Sequence, residues 1–196
     1  MFQISVHPVV EPVSLSEAKE WLKIHPDFAD DDNLIRLLIR SARVWAEKIT
    51  GMALMEQTVV ETWDRFQEGG IFYLSVWPVI SITSLQYLDD NGTYQTWTES
   101  NYTLDAISRP SRIVNKSRIQ QSGVTYNNQL PNVWKATYKA GNTTTNAVDP
   151  NVKSAMLLQI AMMYENREDI PIGQGSSNPY ARSAYALLNL CRTNYV

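Results

Sequence analysis

PVSLSEAKEWLKIHPDFADDDNLIRLLIRSARVWAEKITG, residues 12–51, carries two helix starts, and the reading of the whole chain works outward from them. Ser14-Leu15-Ser16-Glu17 has capping-box spacing, in which the serine hydroxyl and the glutamate satisfy each other's orphan amides. A short helix is predicted from about Leu15 to Ile24, and His25-Pro26 stops it, because proline disfavours a helical residue before it. Asp30, Asp31 and Asp32 then precede Leu34, Leu37, Leu38, Ser41, Trp45 and Ile49, which recur at the i, i+3, i+4 spacing of one inward helix face. Gly51 closes this long helix. Three adjacent acids invite a metal reading, but the alternate oxygen ligands and distal glutamate of a calcium loop are missing. At a helix start the acids face the positive end of the macrodipole, so they are read as caps.

The far end of the chain answers with two more helices. Asp149-Pro150 pairs a carboxylate cap with proline at a position where its missing amide costs nothing. Val152, Ala155, Met156, Gln159, Ile160 and Met163 follow as an apolar stripe with one polar member. Met156, Met162 and Met163 fit either a core stripe or an adaptable binding surface, and the core is the plainer reading. Residues 171–178 read as a flexible connector, and Asn178-Pro179 opens a last helix with Tyr180, Ala184, Leu187, Leu188 and Cys191 on one face.

Between these ends the pattern changes from helical to alternating. Gln57 to Asp64 alternates with β-branched and aromatic members, and Ile71 to Leu74 after Gly69-Gly70 reads as its returning strand in a hairpin. Ser81 to Leu88, the Asp90-Asn91-Gly92 turn and Tyr94 to Thr98 form the chain's clearest hairpin signal. Tyr102–Leu104, Arg112–Val114 and Val133–Tyr138 are further strands, and the polar run 116–132 between them reads as a mobile loop. The residues before Pro12 and Ser14 read as an extended lead-in. The expected fold is α+β: a helical bundle built from residues 14–51 and 149–193, with an antiparallel β subdomain inserted at 55–141, all in one domain over 1–196.

Composition fits a globule with a real core, at 44% hydrophobic, 19% charged and 10% aromatic over 196 residues. A net charge of −3 excludes a protein whose main task is to neutralise phosphate, which needs a basic stripe. Cys191 stands alone, so no intrachain disulfide or cysteine-rich zinc site forms, and a reducing compartment is the natural setting. The N-terminal MFQISVHPVV lacks the charged and apolar regions of an export signal, and no stretch reaches the roughly 18 apolar residues of a membrane span.

Catalytic constellations are scarce. His7 and His25 belong to no paired ligand motif and read as solvated loop residues, and no phosphate loop or nucleophile elbow occurs. The expectation is no catalytic residue, no metal and no cofactor. Two alternatives stand beside it. Glu61, Asp64, Asp89, Asp90 and Asp105 lie on or beside β elements, where a metal-dependent nuclease would gather carboxylates, although such acids are mostly solvated turn residues. The aromatic β segment, with Trp63, Phe72, Tyr73, Trp77, Tyr87, Tyr94, Trp97 and Trp134 among its rings, also fits a carbohydrate- or protein-binding module.

In their order and spacing these blocks resemble the head-tail connector, or adaptor, family of tailed bacteriophages and gene transfer agents, in the branch with a β-rich insertion. The carriers run from Pro12 to Leu190: Pro12 to Lys19 with the three aspartates, the helix ending Ile49-Thr50-Gly51, and Gln57-Thr58. Trp77 to Leu85, Tyr87 to Gly92, Tyr102 to Asp105, Ala136 to Gly141, Val148 to Ile160 and Tyr164 to Glu168 complete the set. The resemblance implies a virion protein, about a dozen copies of which form a ring under the portal protein. It further implies a lumen that DNA passes without specific binding, a docking surface for a stopper or tail-completion protein, and no membrane. In this family the C-terminal region engages the portal. Candidates for portal and subunit interfaces are therefore Tyr164, Glu165, Arg167, Tyr180, Tyr185 and Leu188, with Trp77 and Trp97 from the β segment. For Arg167 an intersubunit bridge and an ordinary helix-end salt bridge both remain open.

Overall fold

The computed structural model describes residues 1–65, 70–116, 131–166 and 179–192, with the side chains of 179–181 excepted. The described residues divide into two compact units, one from 1–8 and 56–142, the other within 9–55 and 143–194. The α+β class is as expected.

The helical unit holds α1 (Leu15–Trp21), α2 (Asp32–Thr50), α3 (Pro150–Glu165) and α4 (Pro179–Cys191). Both predicted starts are built as the sequence implies. The Ser14 hydroxyl accepts from the Glu17 amide at 3.2 Å while the Glu17 carboxylate accepts from the Ser14 amide at 2.7 Å. Asp149 caps α3 through the Asn151 amide at 2.8 Å, with Pro150 at the first position. α1 ends three residues before Ile24, because Leu22 caps it and Lys23 turns left-handed at φ 59°. Proline at 26 only bounds what the backbone has already turned.

The inward face of α2 is only partly the predicted stripe, of which Leu38, Trp45 and Ile49 pack against the core from its edge. Ile35, Ile39, Ala42, Arg43, Ala46 and Thr50 are buried, whereas Leu37 is 59% exposed and Ser41 is exposed. The buried line is rotated by about one residue, roughly 100°, from the line of the largest apolar side chains. Small residues explain it: Ala42 and Ala46 let the helix approach its neighbours closely, and Arg43 goes inside because two carboxylates meet it there. α3 contacts all three other helices. Val152, Ala155, Met156 and Ile160 are its deepest residues, and Ala184 and Leu188 of α4 join the same core. The methionine stripe is thus core at Met156, with Met163 packed against its edge.

The β unit holds two antiparallel sheets. The first has the order β1 (Phe2–Val6), β2 (Gln57–Trp63), β8 (Trp134–Ala140), β4 (Val79–Leu88), β5 (Tyr94–Thr96); the second has β3 (Ile71–Tyr73), β7 (Arg112–Asn115), β6 (Tyr102–Asp105). The expected hairpin of 57–64 with 71–74 does not form: β2 pairs with β1 and β8, and β3 with β7. A Gly-Gly turn signal says that the chain reverses, not which strand it then joins. β2 finds in β8 a seven-residue register, Gln57 opposite Ala140 through Trp63 opposite Trp134, with both strands burying alternate residues. The lead-in is a strand as well, so the edge of this sheet comes from outside the 55–141 segment.

The other predicted hairpin is present, with Leu88 opposite Tyr94 and Gly92 at φ 75° in the turn. Two register shifts in β4, at Val79/Ser81 and Ile82/Ser84, break its in-out alternation, which leaves Val79 and Leu85 as its buried residues. Most of the polar run 116–132 lies outside the described residues.

Candidate assembly surfaces

The aspartates before α2 work sideways rather than along the helix axis. Asp31 holds the N-cap position but caps no amide; its carboxylate accepts from the Tyr164 hydroxyl of α3 at 2.5 Å. Asp32 pairs with Lys19 at 2.5 Å, and the same ammonium donates to the carbonyls of Pro26 and Phe28 at 3.0 and 2.8 Å. One nearly buried lysine thus fixes α1, the connection after it and the first turn of α2. The capping role expected of the three is corrected accordingly: Asp31 and Asp32 tie helices together, and Asp30 is exposed. Arg43 does the same farther along, donating to Glu11 and Glu47 at 2.8 Å each. Glu47 also accepts from the Leu54 amide at 3.0 Å. Burial outweighs these donors and raises its pKa above the usual carboxylate value.

In the β unit the corresponding buried carboxylate is Glu61, and its partners are neutral. It accepts from the Tyr138 hydroxyl at 2.9 Å, from the Ser75 amide at 3.0 Å and from the Ser75 hydroxyl. Burial, with this carboxylate beside it, pushes the Tyr138 phenol up. Of the remaining acids of the nuclease alternative, Asp90 is exposed and the other three are each held by hydrogen bonds. Asp64 accepts from the Asn132 amide at 2.7 Å, and Asp89 accepts from the amides of Asn91 and Thr93 at 2.9 Å, closing its turn. Asp105 is held down at about 2 by the Ser108 hydroxyl and amide, with the Arg112 guanidinium as a further donor. Among the described residues no three His, Cys, Asp or Glu are grouped to hold a metal ion.

The interface candidates divide by exposure. Tyr185 is 46% exposed on α4, and Glu165 is exposed at the end of α3. Tyr164 is half-buried and held by Asp31. Leu188 and Trp77 are buried, the latter under the Arg109 guanidinium at 4.8 Å, so in the single chain both serve packing. Trp97 is half-buried and stands edge-on to Tyr87 and Trp134 with centroids 5.8 and 5.6 Å away. Arg167 and the Tyr180 side chain lie outside the described residues. Sequence reasoning missed Leu190, 77% exposed, and the outer face of α2; the first has no signal in a pattern that ranks leucine as core.

The helical pair α1–α2 and the strand after it can now be set beside known proteins. Residues 12–72 match the family model described as phage gp6-like head-tail connector protein. Over that stretch the chain is similar to head-tail connectors, as the resemblance implied. No curated protein matches. Among solved structures, a chain in the neck of an empty gene transfer agent particle, computed with C6 symmetry, has a TM-score of 0.78 at 20% identity. It covers 100% of this chain and 97% of its own length. A chain of the native gene transfer agent virion gives the same TM-score, identity and coverage. A chain in the native particle's neck, computed with C12 symmetry, gives 0.67 at 20% identity over 98% of this chain and 97% of its own. The chain therefore shares the fold of a chain in the neck of a gene transfer agent particle.

Proposed function

We propose that this chain is a structural head-tail connector: copies of it form a ring in the neck of a tailed virus-like particle, at the head-tail interface of the virion. The observation that carries the reading is the fold match over the full chain to a neck protein, at a TM-score of 0.78, joined to the connector family model over residues 12–72. The ring sits under the portal protein, extends the channel through which DNA passes, and offers its far side to a stopper or tail-completion protein. Assembly takes place in the host cytoplasm. A net charge of −3 suits a channel through which DNA must slide. The role is structural rather than catalytic, and the local occupation of Glu61, Asp64, Asp89 and Asp105 supports that.

Native mass spectrometry over a concentration series, with negative-stain images of large species, tests the ring. Closed species of about a dozen subunits are expected. Monomer at every concentration, together with failure to co-sediment with the portal protein, overturns the reading. Portal docking through the C-terminal region is best probed on the surface of α4, since Ala184 and Leu188 are core and removal of 179–196 would open it. Tyr185→Glu is expected to abolish portal co-sedimentation and leave the fold intact; retained binding removes α4 from the portal contact.

A further inference from the structure

The outer face of α2 is built like half of an interface. Arg36, Leu37, Arg40, Val44 and Lys48 are all exposed, and at 100° per residue they fall within one arc of about 120°. Leu37 is 59% exposed and Val44 39%, and no carboxylate on the helix is exposed. Arg36 reaches Asp32 only at 4.0 Å, and Arg40 and Lys48 have no ion-pair partner among the described residues.

A complementary surface lies on the same unit. α1 and the connection that follows expose Glu17, Glu20, Asp27 and Asp30, with Lys23 as the one exposed ammonium and His25 beside Asp27 at 3.7 Å. The same segment exposes two large apolar side chains, Trp21 at 45% and Phe28 at 44%. Each surface thus mixes exposed apolar and charged side chains, and the charges of the two are opposite in sign.

We infer that a second copy of this chain docks its acidic, aromatic α1 surface on the basic, apolar outer face of α2, and that this is the repeating contact of the ring. The inference rests on the connector reading above. A closed ring needs heterologous contacts, two different faces that complement each other, and these faces do. DNA is the other conceivable occupant of a basic helix face. It fits less well, because Leu37 and Val44 sit among the cations where phosphate contact would leave them unpaired, and three cations neutralise little backbone. Exposed apolar side chains among charges of complementary sign are what protein interfaces use, with tryptophan a favoured anchor.

Two charge-reversal variants test the contact, R40E/K48E and E20K/D27K, all at exposed positions. They are assayed under the condition in which the wild-type chain forms rings, alone or on the portal protein. Each variant is expected to keep the wild-type circular dichroism and Tm yet to need at least about tenfold more protein to assemble. An equal mixture is expected to restore rings, because each reversed face meets its reversed partner. Native mass spectrometry should then show only even subunit numbers with the two variants alternating. Variants that assemble like wild type overturn the inference, as do folded variants whose mixture fails to assemble. Unchanged rings in which R40E/K48E alone loses retention of duplex DNA would assign α2 to the channel instead, also overturning it. If the wild-type chain itself never forms rings, the connector reading fails, which is a different result from intact wild-type rings with indifferent variants.

Discussion

The helical unit and the β unit each bury a carboxylate, and they satisfy it by opposite means. Glu47 shares the Arg43 guanidinium with Glu11, so three charges are taken from water together. Glu61 has only hydroxyls and an amide around it. The first arrangement fixes where the segment before α1 lies against α2; the second locks β2 to β8 and to the loop carrying Ser75. The lesson is that buried ion pairs and buried neutral networks fail differently. Removing one partner of a buried ion pair strands a charge, whereas removing one hydroxyl leaves the carboxylate with other donors.

The largest effect expected from this contrast is at Arg43. Arg43→Ala should cost about 3–5 kcal/mol, read as the shift of the denaturant midpoint of the helical unit, because Glu11 and Glu47 are left facing each other without a cation. A loss near zero would mean that both carboxylates reach water when the arginine is gone. Tyr138→Phe should cost less, about 1–3 kcal/mol, since Glu61 keeps both Ser75 donors while the Val76 amide loses its acceptor. If the two losses were equal, the distinction between the networks would be lost.

The two units should also answer pH with opposite signs. Glu47 has its pKa raised by burial, so the folded state holds its proton more tightly than the unfolded state does. Its favourable contribution is complete below the unfolded value of 4.5 and is lost as pH rises through the higher folded value. Asp105 is lowered from 3.8 to about 2, so its contribution is present above 3.8 and is lost as pH falls toward 2. Carboxyl NMR titration should find Glu47 protonating at higher pH than an ordinary glutamate and Asp105 at lower pH than an ordinary aspartate. Asp105→Asn should flatten the acid limb of the β unit's stability curve, and Glu47 titrating as an ordinary glutamate would remove the contrast.

How legible these features were depends on whether the signal is local. Ser14 with Glu17, Asp149 with Pro150, and the Asp-Asn-Gly turn before Tyr94 are read within a few residues, and each is built as written. Pairing is not local. Nothing near Gln57 states that its neighbours are Ala140 and the N-terminal strand, so the Gly69-Gly70 signal favoured a hairpin that the seven-residue register with β8 outcompetes. The carboxylate partners are equally hidden: Lys19 meets Asp32 across a connection, and Tyr164 meets Asp31 from 133 residues away. Of the interface candidates that the resemblance implied, Tyr185 and Glu165 are at the surface. Leu188 and Trp77 are not, since the side chains that best anchor a partner also best fill a core.

The smallest stability effect expected is the one that a reading of the sequence alone would rank among the largest. Leu37 belongs to the predicted inward stripe of α2, and as a core leucine its replacement by a small residue would cost about 2–5 kcal/mol. At 59% exposure it should cost almost nothing in the single chain. Leu37→Ser is therefore expected to leave the denaturant midpoint within about 0.5 kcal/mol of wild type, whereas Ile39→Ala, buried two residues on, should lose the full amount of a core truncation. The pair measures the rotation of the helix about its own axis, because exchanging the two outcomes requires the predicted stripe to face inward after all. Carried into assembly, the same substitution changes meaning: on the outer face of α2 it removes apolar area from the proposed contact, so a monomer of unchanged stability should form rings less readily.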